Sequence, residues 1–92
     1  MQLGGNEKMT MQFVTDYINK KLNENPNYIR YTFYELRVKN NLSEEETDEF
    51  LRINRDYFEN KGYSVYFTGA KFEYNNAKRT VQDNELMIAI KE

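Results

Sequence analysis

The chain has no cysteine, no histidine and a single proline among its 92 residues. Without cysteine there is no disulfide framework and no thiolate metal site. Without histidine the commonest general base and metal ligand is missing, and zinc-finger readings fall with it. No glycine-rich phosphate loop is present, and no nucleophile is paired with a base. Carboxylates are frequent but form no recognisable catalytic constellation, so the expectation is a protein that is not an enzyme and carries no cofactor or metal. No apolar run approaches the ~20 residues of a membrane span, and no signal-peptide pattern opens the chain. The expected location is therefore cytoplasmic, away from any membrane.

What is present is one small domain's worth of chain, rich in aromatics, with eight Tyr and six Phe. Such rings bring a large buried area per residue. Net charge is −2, an unfavourable start for a DNA binder, whose affinity rests on neutralising phosphates. The charges are, however, segregated. From Asp16 to Lys39 there are five basic residues (Lys20, Lys21, Arg30, Arg37, Lys39) against three acidic (Asp16, Glu24, Glu35). From Asn40 to Lys61 there are three basic (Arg52, Arg55, Lys61) against seven acidic (Glu44, Glu45, Glu46, Asp48, Glu49, Asp56, Glu59). From Gly69 to Thr80 base dominates again, with Lys71, Lys78 and Arg79 against Glu73. Heavy use of Asn, Lys, Tyr and Ile, with the short length, suggests a phage or mobile-element protein of a low-GC bacterium.

The stretch Thr32 to Ser64 organises the rest. Thr32 is followed three residues later by Glu35, and Ser43 three residues later by Glu46. Each is a capping-box spelling, in which the hydroxyl takes a first-turn amide and the glutamate reaches back to the cap. Only Asn40, Asn41 and Leu42 separate the two expected helices, which makes a helix-turn-helix candidate. The third helix is expected over Glu44 to Asn60. Phe50, Leu51, Ile53, Tyr57 and Phe58 cluster on one face at about 100° per residue, with Asn54 among them. Three glutamates in its first turn suit the helix dipole, and Lys61-Gly62 is a good ending.

Before that stretch, residues 1–8 (Met1 to Lys8) have two glycines and no periodicity and are expected to be a mobile leader; the domain then covers 9–92. Met9 and Met11 are also plausible starts. A first helix is expected from about Met9 to Asn23, burying Met9, Phe13, Val14, Tyr17, Ile18 and Leu22, and stopped by Asn25-Pro26-Asn27. YIRYTFYELRV reads in two ways. It is either one continuous strand, giving an α-β-α-β-β sandwich, or a short strand from Tyr28 followed by a helix from Phe33 to about Lys39. The capping box at Thr32 favours the second. Tyr63 to Phe67 reads as a strand, Lys71 to Tyr74 and Arg79 to Gln82 as a short pair about Asn75-Asn76, and Glu85 to Lys91 as the last strand, with Leu86, Ile88 and Ile90 on one face.

The order α-β-α-α-β-β, with TFYEL, the LSEEE turn and a helix ending in ENKGYSVYF, resembles the winged helix-turn-helix superfamily at the level of the fold. The fold class expected is thus α+β, a small winged helix of three helices and a β-hairpin wing. The resemblance implies a third helix in the DNA major groove and a wing on the backbone or minor groove. Carried onto this chain, Arg52 and Arg55 lie on the outer face of the third helix, Thr47 and Asp48 near its start, and Asn54 at the border of its apolar face. Lys71, Asn75, Asn76, Lys78 and Arg79 fall on the wing. The chain departs from the pattern in its acids, since Glu44 to Glu49 would repel phosphates where most members face DNA. Arg30, Arg37, Lys39 and the wing are then the better phosphate contacts.

Each site has a plainer alternative. Arg52 and Arg55 have acids at helical spacing (Asp48 and Glu59) and suit surface ion pairs. The early glutamates serve the cap and the dipole. The tyrosines Tyr28, Tyr31, Tyr34, Tyr63, Tyr66 and Tyr74 suit core packing better than base stacking. Two functions are expected. One is a small DNA-binding regulator of phage or mobile-element type, taking double-stranded DNA through Arg37, Lys39, Arg52, Arg55, Lys71, Lys78 and Arg79; a homodimer is compatible with it. The other is an acidic protein-interaction module or phage-type inhibitor that docks Glu45, Asp48 and Glu49 of the third helix on a basic host protein.

Overall fold

A computed structural model describes residues 9–67 and 85–91 of the chain. Thr10 sets the start of the first helix, α1 (Met11–Glu24), by accepting a 3.1 Å hydrogen bond from the Phe13 amide on its Oγ1. The expected start at Met9 moves by two residues because the hydroxyl of Thr10 is the cap. Met9 is still fully buried, just ahead of the helix. It shares the core with Val14, and the two occupy the N′ and N4 positions of a hydrophobic staple. Val14 and Ile18 are buried and Phe13, Tyr17 and Leu22 pack partly against them, which is the expected stripe.

Strand β1 (Tyr28–Thr32) buries Ile29 and Tyr31 and turns Arg30 outward. Of the two readings of this stretch, strand followed by helix holds. The helical part, Tyr34–Lys39, is of π type. Its capping box is only half made. Thr32 Oγ1 accepts from the Glu35 amide at 3.1 Å, but the Glu35 carboxylate does not reach back. It is taken instead by the Tyr17 hydroxyl at 2.7 Å and by Lys21 at 3.0 Å, both from α1. The segment closes by wide backbone bonds, Asn40 N–H to Glu35 C=O (3.1 Å) and Leu42 N–H to Leu36 C=O (3.0 Å). Asn41 has φ 55°, a left-handed conformation that asparagine tolerates better than most residues.

The third helix, α2 (Glu44–Asn60), has the expected boundaries and a complete capping box. Ser43 Oγ accepts from the Glu46 amide (3.0 Å), and Glu46 Oε1 accepts from the Ser43 amide (2.8 Å). The helix ends at Lys61 and Gly62, whose amides donate to Phe58 and Glu59 carbonyls at 3.0 Å. Gly62 has φ 91°, where a side chain would be strained. Strand β2 (Tyr63–Phe67) follows at once.

The last strand, β3 (Glu85–Lys91), lies in the middle of a three-stranded antiparallel sheet of order β1-β3-β2. Ile29 and Val65 pair across Ala89, and Tyr31 and Phe67 across Met87. Since side chains alternate along a strand, the face toward the helices carries Met87 and Ala89. Of the expected stripe Leu86, Ile88 and Ile90, the last two do share one face, and only Leu86 departs from it. Ile88 and Ile90 lie on the opposite face, with Ile88 between Arg30 and Tyr66. Leu86 leaves that face because the register slips: Tyr31 pairs with Met87, but Thr32 pairs with Glu85. This bulge lets Leu86 pack on the core and brings Glu85 to Arg30, with which it forms an ion pair. The expected leader at 1–8 and the expected strands at 71–74 and 79–82 lie outside the described residues.

The architecture is therefore α+β, in the order α-β-α-α-β-β, with the third helix counted as α2 and the π segment as the second. Its centre is aromatic. Phe50 of α2 meets Tyr31 of β1 edge-to-face at 5.1 Å between ring centroids, and Tyr17 and Phe13 of α1 at 5.6 and 5.9 Å. Beneath this junction the Tyr31 hydroxyl donates to Asn54 Oδ1 at 2.6 Å, and Asn54 Nδ2 donates to the Phe50 carbonyl at 2.8 Å. Both residues are fully buried. Removing one partner strands the other, at a cost of about 1–3 kcal/mol, whereas removing both is far cheaper. Tyr31→Phe should accordingly lower stability in urea by about 1–3 kcal/mol, and adding Asn54→Leu should recover a substantial part of it. A double variant less stable than the sum of both single changes would contradict this account.

Candidate interaction surface

The start of α2 divides its acids into two groups. Glu46 is buried because its Oε1 serves the capping box; its Oε2 is buried without a hydrogen-bond partner. Thr47 is buried too, with its hydroxyl on the Ser43 carbonyl at 2.8 Å. Glu44, Glu45 and Asp48 stand in solvent and enter no ion pair among the described residues. Capping chemistry thus removes two polar side chains from the surface and leaves a ridge of unneutralised carboxylates on the next positions around the helix.

The arginines expected to read bases are differently disposed. Arg52 pairs with Glu49, three residues before it, rather than with Asp48. Arg55 pairs with its neighbour Asp56 at 3.2 Å rather than with Glu59. Thr47 and Asn54 also leave the set that resemblance to a DNA-reading helix would supply. Thr47 is spent on the helix start and Asn54 on Tyr31, and both are buried. Among the described residues α2 therefore turns outward a surface on which every cation has a carboxylate beside it and three carboxylates have no cation.

The π segment holds two further candidates. Arg37 is half-buried; its Nε donates to the Leu42 carbonyl at 3.0 Å and its guanidinium lies 5.3 Å from the centre of the Phe33 ring. It ties the turn together as well as carrying charge. Lys39 is exposed and enters no ion pair. Arg30 is partly exposed and held by Glu85. Lys71, Lys78 and Arg79, with Asn75 and Asn76, lie outside the described residues. Glu45 and Asp48 are brought to one exposed face, and Glu49, half-buried, stands beside them with Arg52.

One group of surface residues departs from expectation: Tyr34, expected to suit core packing, is exposed instead, and Phe33 and Val38 stand on the surface with it. Phe33, Tyr34 and Val38 are 46, 64 and 54% exposed. Only Leu36 of the π segment is buried. The signal was composition: four apolar residues in a six-residue stretch exceed what one face of a single helical turn can bury. The positions became clear only with the π geometry.

The segment is held on α1 by a polar cluster. Glu35 accepts from Tyr17 and Lys21, Lys21 also donates to the Arg30 carbonyl (2.8 Å), and Asn40 Nδ2 bridges the Tyr17 hydroxyl (3.0 Å) and the Glu35 carbonyl (2.8 Å). Lys21 also lies over the Tyr31 ring at 5.1 Å. Burial first, and the Glu35 carboxylate second, push the Tyr17 phenol well above its ordinary value of 10.0. Burial first, and the charge of Glu35 second, do the same for Tyr31.

No family model matches the chain, and neither a curated protein nor a solved structure is significantly similar to it. Among the described residues no group of three acids could hold a metal ion, and no helix is long and apolar enough to cross a membrane.

The raised phenols set an alkaline limit. Below about pH 10 both tyrosines are protonated in the folded and unfolded states, and their packing contributes in full. Above it the unfolded chain releases protons first, so stability falls as pH rises. Urea denaturation at pH 9 and pH 11 should show that loss, and Tyr17→Phe and Tyr31→Phe should each flatten it. A pH profile unchanged by both substitutions would contradict the cause.

Proposed function

We propose that this chain is a protein-docking module on a winged-helix-type framework, which presents the acidic ridge of α2 to a basic protein surface. The observation that carries this reading is the unequal pairing of charge on α2. Arg52 and Arg55 are each engaged by a carboxylate, while Glu44, Glu45 and Asp48 are exposed and unpaired. A helix that read DNA would need the reverse, since phosphates are recognised by free cations. Complementary charge speeds and selects encounter more than it tightens it, which suits a small protein that captures a larger basic partner. A phage-type inhibitor or adaptor fits that role, and compositional bias toward Asn, Lys, Tyr and Ile favours such an origin. Reversing Glu45, Asp48 and Glu49 to Lys should reduce capture of a partner from a low-GC bacterial lysate by at least about tenfold, with an unchanged circular dichroism spectrum; rim charges act chiefly on association. Undiminished capture by the folded triple variant would refute the ridge as the docking face.

A second reading rests on a different observation. The sheet order β1-β3-β2, with a helix pair between β1 and β2, is the one a winged helix requires, and the chain joining β2 to β3 carries Lys71, Lys78 and Arg79. On that reading the protein is a small DNA-binding regulator that anchors phosphates through this connection, Arg37 and Lys39. Fluorescence anisotropy of labelled duplex and single-stranded DNA at two salt concentrations separates the two. Docking through the α2 ridge predicts no salt-dependent binding. Duplex affinity that falls steeply with salt, and that is lost on alanine substitution of Lys71, Lys78 and Arg79, would establish the regulator instead.

A further inference from the structure

We propose that the exposed face of the π-helical segment is the seat of a second copy of this chain, in a two-fold dimer. Four large apolar side chains are exposed among the described residues, and three of them lie here, Tyr34 and Val38 on the segment and Phe33 as its N-cap. π turns are uncommon and concentrate at functional positions. Clustered apolar exposure of this kind marks an interaction site. Leu36 points inward and Arg37 lies over Phe33, so the free apolar surface centres on Tyr34 and Val38.

Charge identifies the occupant. Lys39 ends the segment and Glu44 begins α2, with only the turn Asn40 to Ser43 between them. Both are exposed, and neither is in an ion pair. The apolar patch therefore has an unpaired cation and an unpaired carboxylate close along the chain. A foreign surface of one sign would satisfy only one of them. A second copy related by a two-fold axis beside the turn satisfies both. Lys39 of each copy meets Glu44 of the other, and Tyr34 and Val38 pack across the axis, as an isologous interface requires. The patch is smaller than the ~800 Å² per partner of a standard interface, so association is concentration-dependent. This face borders the acidic ridge and shares Glu44 with it, but not Glu45, Asp48 or Glu49, and its test reads mass rather than capture of a partner.

Sedimentation equilibrium of the full chain from ~10 μM to ~1 mM, the range where weak association is resolved, tests the dimer. The mass should rise toward twice that of one chain. Tyr34→Glu and Val38→Glu change exposed positions, so each should keep the wild-type circular dichroism spectrum and remain monomeric. Lys39→Glu and Glu44→Lys should each weaken association about tenfold, and the two together should restore most of it, since a charge pair couples its partners. A wild-type protein monomeric throughout, a dimer that survives both glutamate substitutions on the apolar patch, or a double charge variant as weak as the single ones would overturn the proposal.

Discussion

Phe50 is the side chain on which the three parts of the fold meet. Its ring touches Phe13 and Tyr17 of α1 and Tyr31 of β1, and its carbonyl holds Asn54. Asn54 in turn receives the Tyr31 hydroxyl. A buried tyrosine must find a partner for its hydroxyl, and an asparagine one helical turn after Phe50 supplies it. The pairing fixes the rotation of α2 about its axis. Once Phe50 and Asn54 face the sheet, Phe58 follows on the same side, and Glu45, Asp48 and Arg52 are carried to solvent. The charged surface is thus a consequence of the aromatic junction.

The same junction explains the polar cluster above it. Tyr17 packs one edge against Phe50 and Tyr31 and sends its hydroxyl to Glu35. Glu35 would otherwise complete the cap at Thr32. The Lys21 ammonium and the Tyr17 phenol together outcompete a single backbone amide, because they give the carboxylate two partners, one of them of opposite charge. At Ser43 no such competitor is present, and Glu46 completes its box. Two identical sequence signals therefore end differently, and the difference lies in what α1 places beside the first of them.

That contrast also marks what can be read from residues alone. The bounds of α2 are legible because Ser43, Glu46 and Gly62 act within one turn of the helix ends. The stripe of α1 is legible for the same local reason. Thr10 was missed as a cap because Met9 fits the apolar spacing equally well, and its place in the core is reached without helical conformation. The faces of β3 were not legible, since a central strand buries both sides and alternation gives no preference between them. Leu86 adds a bulge that no spacing rule contains. On the surface, the outward position of Asp48 was legible from periodicity. The partners of Arg52 and Arg55 were not, because several carboxylates lie within reach of each and rotamers decide among them. Tertiary competition for Glu35 and the π turn that follows it were beyond local pattern.

The π turn has a physical rationale in the two leucines that bracket it. Leu36 and Leu42 are both buried, and the Leu42 amide bonds the Leu36 carbonyl directly. An α-helical turn closes by i to i−4 bonds and would tighten the chain between them. The wider closure lets both leucines reach the core, while Arg37 spans the gap to the Leu42 carbonyl. What the core gains in two leucines, the surface loses, since Phe33, Tyr34 and Val38 are left outside by the same geometry. The same geometry thus sets both what the core takes in and what the surface shows, and the apolar residues left outside are the ones on which we propose that a second copy of the chain is seated.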